Sequence, residues 1–98
     1  MTYIVVTESE STEEITCKIK GSTSGTIKYL ENHFSSLNLP YHSHKEYFEV
    51  DVEGVLILNA LNSQGYKVIT QSMAIEYTTV GGRSFKVQKL VWTLGKFV

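Results

Sequence analysis

A chain of 98 residues, 42% apolar and 19% charged, holds one domain's worth of core and is too apolar to stay disordered. Its formal charge of −1 excludes broad electrostatic attraction to nucleic acid or an anionic membrane, and no apolar run approaches the roughly 20 residues that span a bilayer. The single cysteine, Cys17, excludes an intrachain disulfide, and the opening Met1–Val6 lacks the basic leader and long apolar core of a signal peptide, so a cytoplasmic protein is expected.

Tyr3–Thr7 is a β-branched run, and consecutive Ile4, Val5 and Val6 predict a strand covered on both faces. The polar stretch Glu8–Glu14 reads as a loop or hairpin connection. Ile15, Cys17 and Ile19 then alternate with Thr16, Lys18 and Lys20, which predicts a half-buried strand. The turn Gly21–Gly25 supplies N-caps for a helix over 24–37, whose Ile27, Leu30, Phe34 and Leu37 form one apolar stripe. Asn38-Leu39-Pro40 closes it, and 41–45 shows no period.

Residues 46–52 alternate again. Asp51 is expected to cap a second helix over 54–64, which carries Val55, Leu56, Ile57, Leu58 and Leu61 on a wide apolar face. Gly65 falls where a helix end wants positive φ. A strand over 66–73 sets Tyr66, Val68, Thr70 and Ser72 against Lys67, Ile69, Gln71 and Met73, and continues over 74–80 after a bulge. Gly81-Gly82 predicts a two-residue hairpin turn into a return strand over 84–94. These elements predict one α+β domain spanning 1–98, in two layers, with a mostly antiparallel sheet and two helices on one face.

Two helices dry one face of a sheet, yet the last strand is apolar on both. Phe85, Val87 and Val91 alternate with Leu90, Trp92 and Leu94. Leaving several such side chains in water forfeits roughly 1.5–3 kcal/mol each, so a partner chain is expected, with Leu90, Trp92 and Leu94 as its interface.

No catalytic set emerges. His42 and His44 stand two apart without a third ligand, and His33 sits at the edge of the first helix's stripe. Cys17 alternates with Ile15 and Ile19, the pattern of a buried small hydrophobe. Glu8, Glu10, Glu13 and Glu14 lack the ligand spacing of a calcium loop, and the glycines before Arg83 serve a turn, with no helix following to cradle phosphate. Glu49 and Asp51 share a strand face and would work as an acid/base pair only with a histidine converging on them. The aromatics interleaved with lysines carry no RNA-recognition signature. Neither metal, cofactor, nucleic acid nor membrane is therefore expected as a partner, and the chain reads as a non-enzyme.

From Lys45 onward the chain resembles the GTP cyclohydrolase I feedback regulatory protein family. The resemblance rests on Tyr47-Phe48-Glu49-Val50, the run Val55–Leu61, Gly65-Tyr66-Lys67-Val68-Ile69 and the run Gln88–Leu94, in that order, with Tyr3–Thr7 similar to the family's first strand. It implies a cytosolic, non-catalytic homopentamer that caps GTP cyclohydrolase I, stimulating it with phenylalanine and inhibiting it with tetrahydrobiopterin. It further implies an effector site formed by the end of the first strand, Thr7, Glu8, Ser9 and Glu10, together with Gln88. Leu90 and Trp92 would pack at or below the interface. Where the family ends that strand in basic and apolar residues and continues with Gly-Pro-Thr, this chain has Glu8-Ser9-Glu10 and Ser11-Thr12-Glu13-Glu14.

The expected function is that of a regulatory protein, a homo-oligomer that binds and modulates a partner enzyme through an amino acid or pterin effector held at an interface. The alternative is an oligomeric small-ligand binding or sequestering protein with no enzyme partner.

Overall fold

The computed structural model describes residues 2–11, 14–21, 23–44 and 47–96. Along the chain run β1 (Thr2–Glu10), β2 (Ile15–Lys20), α1 (Ser24–Ser36), β3 (Tyr41–Ser43), β4 (Tyr47–Val50), α2 (Gly54–Ser63), β5 (Tyr66–Val80) and β6 (Arg83–Lys96). The six strands form one sheet in the order β3-β4-β2-β1-β6-β5, and every neighbouring pair is antiparallel. Both helices pack on the same face. The expected α+β architecture is the observed one.

The boundaries show where local pattern fell short. β1 runs on through Glu8, Ser9 and Glu10, which sequence reading gave to a loop, because β2 and β6 flank it there: Glu10 lies opposite both Ile15 and Gln88. Thr12 and Glu13, also assigned to that loop, and Glu46, the predicted start of a strand, lie outside the described residues. β3 forms in the segment without a period, since three residues opposite Val50, Glu49 and Phe48 are too few to display one.

Ile4 and Val6 of β1, Cys17 and Ile19 of β2, Phe48 and Val50 of β4 and Leu94 of β6 line the covered face, and all are fully buried. Against them α1 lays Leu30 and Phe34, and α2 lays Ile57, Ala60 and Leu61. Leu37 is the C-cap of α1 and half exposed, so the predicted stripe ends at Phe34. Val55 and Leu56 likewise face outward, which narrows the apolar face expected of α2.

Thr23 caps α1 by accepting from the Thr26 amide at 3.3 Å, and buried Thr26 shares a 3.1 Å hydrogen bond with the Tyr66 hydroxyl. The N-cap of α2 is Glu53, and Asp51 instead accepts from the Thr16 hydroxyl at 3.0 Å. Gly65 has φ 92°, as its position after α2 required. Gly81 and Gly82, at φ 60° and 79°, make the two-residue turn, where two consecutive positive φ values match the twist of the hairpin.

Four side-chain assignments in β5 reverse. The bulge in β5 falls between Val68 and Thr70. Ile69 is the extra residue, and its Cδ1 reaches within 2.7 Å of where a β-carbon on Gly95 would stand, beside the Tyr3 ring. Beyond the bulge Gln71 and Met73 therefore share the face of Tyr66 and Val68, while Thr70 and Ser72 take the other.

The register of β6 sets Leu94 opposite Ile4 and Trp92 opposite Val6, both core residues. Leu94, 1% exposed, is thus a core side chain in the single chain, and the interface role predicted for it is corrected. The face that the helices leave bare carries Tyr3, Val5, Val87, Val91 and Phe85.

Cys17 is fully buried and its thiol donates to the Val52 carbonyl at 3.2 Å. Burial, and secondarily the Glu8 carboxylate, push the thiol from its ordinary 9.0 up to about 12. Between those values the unfolded chain releases a proton that the folded chain keeps. The stability tied to this thiol is therefore complete below pH 9 and is lost as the pH climbs toward 12. Denaturation of wild type and Cys17→Ala across that range is expected to show their difference shrinking with pH, and a native chain inert to thiol reagents at neutral pH.

Candidate functional site

The end of β1, the middle of β6 and the start of α2 meet at one edge of the covered face. Antiparallel register places Glu8 between Cys17 and Leu90, and Glu10 between Ile15 and Gln88. Side chains alternate along a strand, so Glu8, Glu10, Gln88, Leu90 and Trp92 all point to the helix side. α2 begins above them. Its Gly54 amide donates to Glu8 Oε2 at 2.5 Å, which gives the first turn of the helix a charged acceptor.

Gly54 is buried because the Trp92 indole lies against it: a β-carbon there would stand 2.7 Å from Trp92 Cη2 and 2.8 Å from Glu8 Oε2. A glycine opening the helix is therefore a steric requirement of the indole beneath it. The carboxylate position is more forgiving. Glu8→Gln keeps an acceptor for the Gly54 amide and loses the charge; an expected loss of roughly 0.3–1 kcal/mol, readable as a lower melting temperature in low salt, follows from the helix dipole.

Outside this contact opens a cleft of about 340 Å³ lined by Glu8, Glu10, Ile15, Glu53, Val55, Leu58, Leu90 and Trp92. Its floor is an indole and aliphatic chains, and its rim is three carboxylates. An adjoining cleft of about 410 Å³ shares Ile15 and Glu53 and adds Glu14, Asp51 and Val52. No cation lines either one among the described residues. An apolar floor under a rim of carboxylates, of which Glu8 alone is tied to the Gly54 amide, suits a ligand with an apolar body and a positive charge, because the ring and aliphatic chains take the body while the rim attracts the cation.

Of the residues expected at the effector site, Glu8 and Glu10 line this cleft. Gln88 lies just outside it, in a smaller depression of about 220 Å³ shared with Glu10, Ser11 and Lys86, and its side-chain amide donates to the Met73 sulfur at 3.4 Å. Thr7 and Ser9 do not join them. They open on the bare face, in a basic trench of about 370 Å³ with Val5, Lys18, Lys20 and Lys89. Leu90 and Trp92 form cleft floor.

Sequence reading missed Glu53, Leu58 and Val55 as site residues. The one available signal was a glycine just after Glu53 at the head of an apolar helix, which marks a close approach.

The other candidates disperse. His42 and His44 are exposed, and the His44 ring stacks on Tyr47 with centroids 4.3 Å apart. Glu49 sits on the bare face 3.8 Å from Lys18, so it does not share a cleft with Asp51. Among the described residues no three His, Cys, Asp or Glu side chains stand close enough to hold a metal ion.

No family model matches the chain, and no curated protein matches it. Among solved structures it is similar to a conserved kinetoplastid-specific protein from Trypanosoma cruzi, with 12% identity over 94% of each chain and a TM-score of 0.58. That likeness defines the class of fold: two helices on one face of an open, antiparallel six-stranded sheet.

Proposed function

We propose that this chain is a non-catalytic regulatory protein that takes a small cationic effector into the cleft between Glu8, Glu53 and Trp92 and presents it to a partner enzyme. The observation that carries the reading is the cleft itself. It is apolar at its floor and acidic at its rim, and the exposed Val55, Glu10 and Glu53 are among the residues that line it. A partner seated on those side chains would close the mouth over a bound effector. Occupancy and docking would then favour each other, which is how a ligand biases an enzyme without touching its chemistry.

The acidic end of β1 favours an amine. Two probes with one apolar body and opposite charge test this by calorimetry: phenethylamine is expected to bind saturably, and 3-phenylpropionate is not. Equal binding of both, or binding of neither, would reject the site. In Glu10→Gln/Glu53→Gln the amine affinity is expected to fall roughly tenfold, since two charges at partly exposed rim positions are worth about 1–2 kcal/mol together.

The resemblance to the feedback regulators makes GTP cyclohydrolase I the first enzyme to mix with the chain, with and without phenylalanine. A change in its rate under either condition supports that partner, and no complex under both removes it.

A further inference from the structure

β5 is the outermost strand of the sheet, 15 residues long and exposed from Lys67 to Tyr77, and among the described residues no strand pairs with the backbone donors and acceptors along its outer side. Val68, Met73, Ile75 and Tyr77 are 44–73% exposed along one of its faces. Such an edge is a template for another strand. We infer that its occupant is the β5 of a second copy of this chain, paired antiparallel about a two-fold axis through Ser72.

The register follows from the strand's own parity. Pairing with β6 sets Tyr66, Val68, Gln71, Met73, Ile75 and Tyr77 on the helix side, and Lys67, Thr70, Ser72, Ala74 and Glu76 on the bare side, with Ile69 as the bulged extra residue. A two-fold through Ser72 places Gln71 opposite the partner's Met73, Thr70 opposite the partner's Ala74, Val68 opposite the partner's Ile75 and Lys67 opposite the partner's Glu76. Every pair lies on one face, and the bulge supplies the one-residue offset that this requires.

Charge then selects the register. Lys67 and Glu76 are the only charged residues in β5, and Glu76 meets Lys89 of its own chain at 3.1 Å through one carboxylate oxygen, so the partner's Lys67 would share that carboxylate. Sliding the copies by two residues, the smallest step that preserves the faces, separates them. At the inferred register symmetry makes the Lys67–Glu76 pair twice. It also gives Val68 and Ile75 apolar cross-strand neighbours. The other outer strand, β3, has 3 residues and is too short to cover β5.

This dimer is independent of the effector cleft and differs from the pentamer that the sequence resemblance implies. Light scattering of the purified chain is expected to give twice 11.1 kDa, about 22 kDa. Lys67→Glu and Glu76→Lys should each weaken the dimer roughly tenfold by setting like charges opposite one another, and the double swap Lys67→Glu/Glu76→Lys should bind more tightly than either single, short of wild type because Glu76 also pairs with Lys89 of its own chain. Ser72→Cys should form a disulfide-linked dimer on mild oxidation, because directly opposed residues lie within bridging distance and Cys17 is buried. A monomer, a pentamer indifferent to either reversal, or a double swap that stays as weak as the singles would overturn the inference. Circular dichroism of each variant separates lost pairing from lost folding.

Discussion

Replacing Gly54 with alanine is expected to destabilise the chain by about 1–3 kcal/mol, although alanine is ordinarily the better helix residue. The added methyl group has no room: its carbon would sit 2.7 Å from Trp92 Cη2, 2.8 Å from Cζ3 and 2.8 Å from Glu8 Oε2. Glu8 can swing away, at the loss of its bond to the Gly54 amide. The indole is a rigid plate and can only tilt, which moves the floor of the cleft. Gly25 provides the control. It lies in the first turn of α1 with nothing within 4 Å of its would-be β-carbon, so Gly25→Ala is expected to be neutral or to stabilise by up to about 1 kcal/mol. Thermal melts that gave the two substitutions the same sign would mean that the Trp92–Gly54 contact is looser than described.

Phe48→Ala is expected to cost about 3–5 kcal/mol, the largest effect of any single change considered. Phe48 is fully buried, with its ring 6.1 Å from Phe34 of α1 and 5.3 Å from Tyr41 of β3. It thus joins one helix to the short outer strand. Its removal opens a cavity that neither neighbour can fill without dragging backbone with it. Against a total stability of roughly 5–15 kcal/mol, much of the folded population is lost, and β3 should lose hydrogen-exchange protection first. Phe85→Ala, on the projecting part of β6 at 39% exposure, is expected to cost a small fraction of this in the isolated subunit. Urea titrations of the two variants compare the costs directly.

How much of this was legible in the sequence can be read from particular residues. Where a residue's neighbours along the chain decide its surroundings, the sequence sufficed: the Gly81-Gly82 turn, the positive φ at Gly65, the burial of Cys17 and both helices. Where a third strand decides, it did not. Glu8, Ser9 and Glu10 look like loop because they are polar, yet they extend β1, since strands on both sides hold their backbone. The bulge at Ile69 depends on the bare Gly95 across the ladder, which no local pattern reveals. The same distant pairing determines which half of β6 is core. Alternation puts Leu94 and Val91 on opposite faces, but only the partners Ile4 and Thr7 show that the face of Leu94 is the core.

The site followed the same rule. Glu8 and Glu10, expected to hold an effector, converge with Leu90 and Trp92, expected at an interface, while Gln88 lies just outside the cleft and Thr7 and Ser9, in one stretch with the two glutamates, alternate to the other face. A lip of consecutive residues cannot exist on a strand, because the pleat splits it in two. Glu53, Val55 and Leu58 enter through tertiary packing alone. What the acidic rim adds to the reading is the sign of the ligand's charge.

The chain contains one tryptophan, and it forms the floor of the cleft, so its fluorescence reports occupancy without any label. Titration with phenethylamine is expected to change the Trp92 emission saturably, with the response weakened in Glu10→Gln/Glu53→Gln. Emission that stays constant while the amine is bound, or a response identical in the double variant, would contradict the placement of the ligand against Trp92 and its acidic rim.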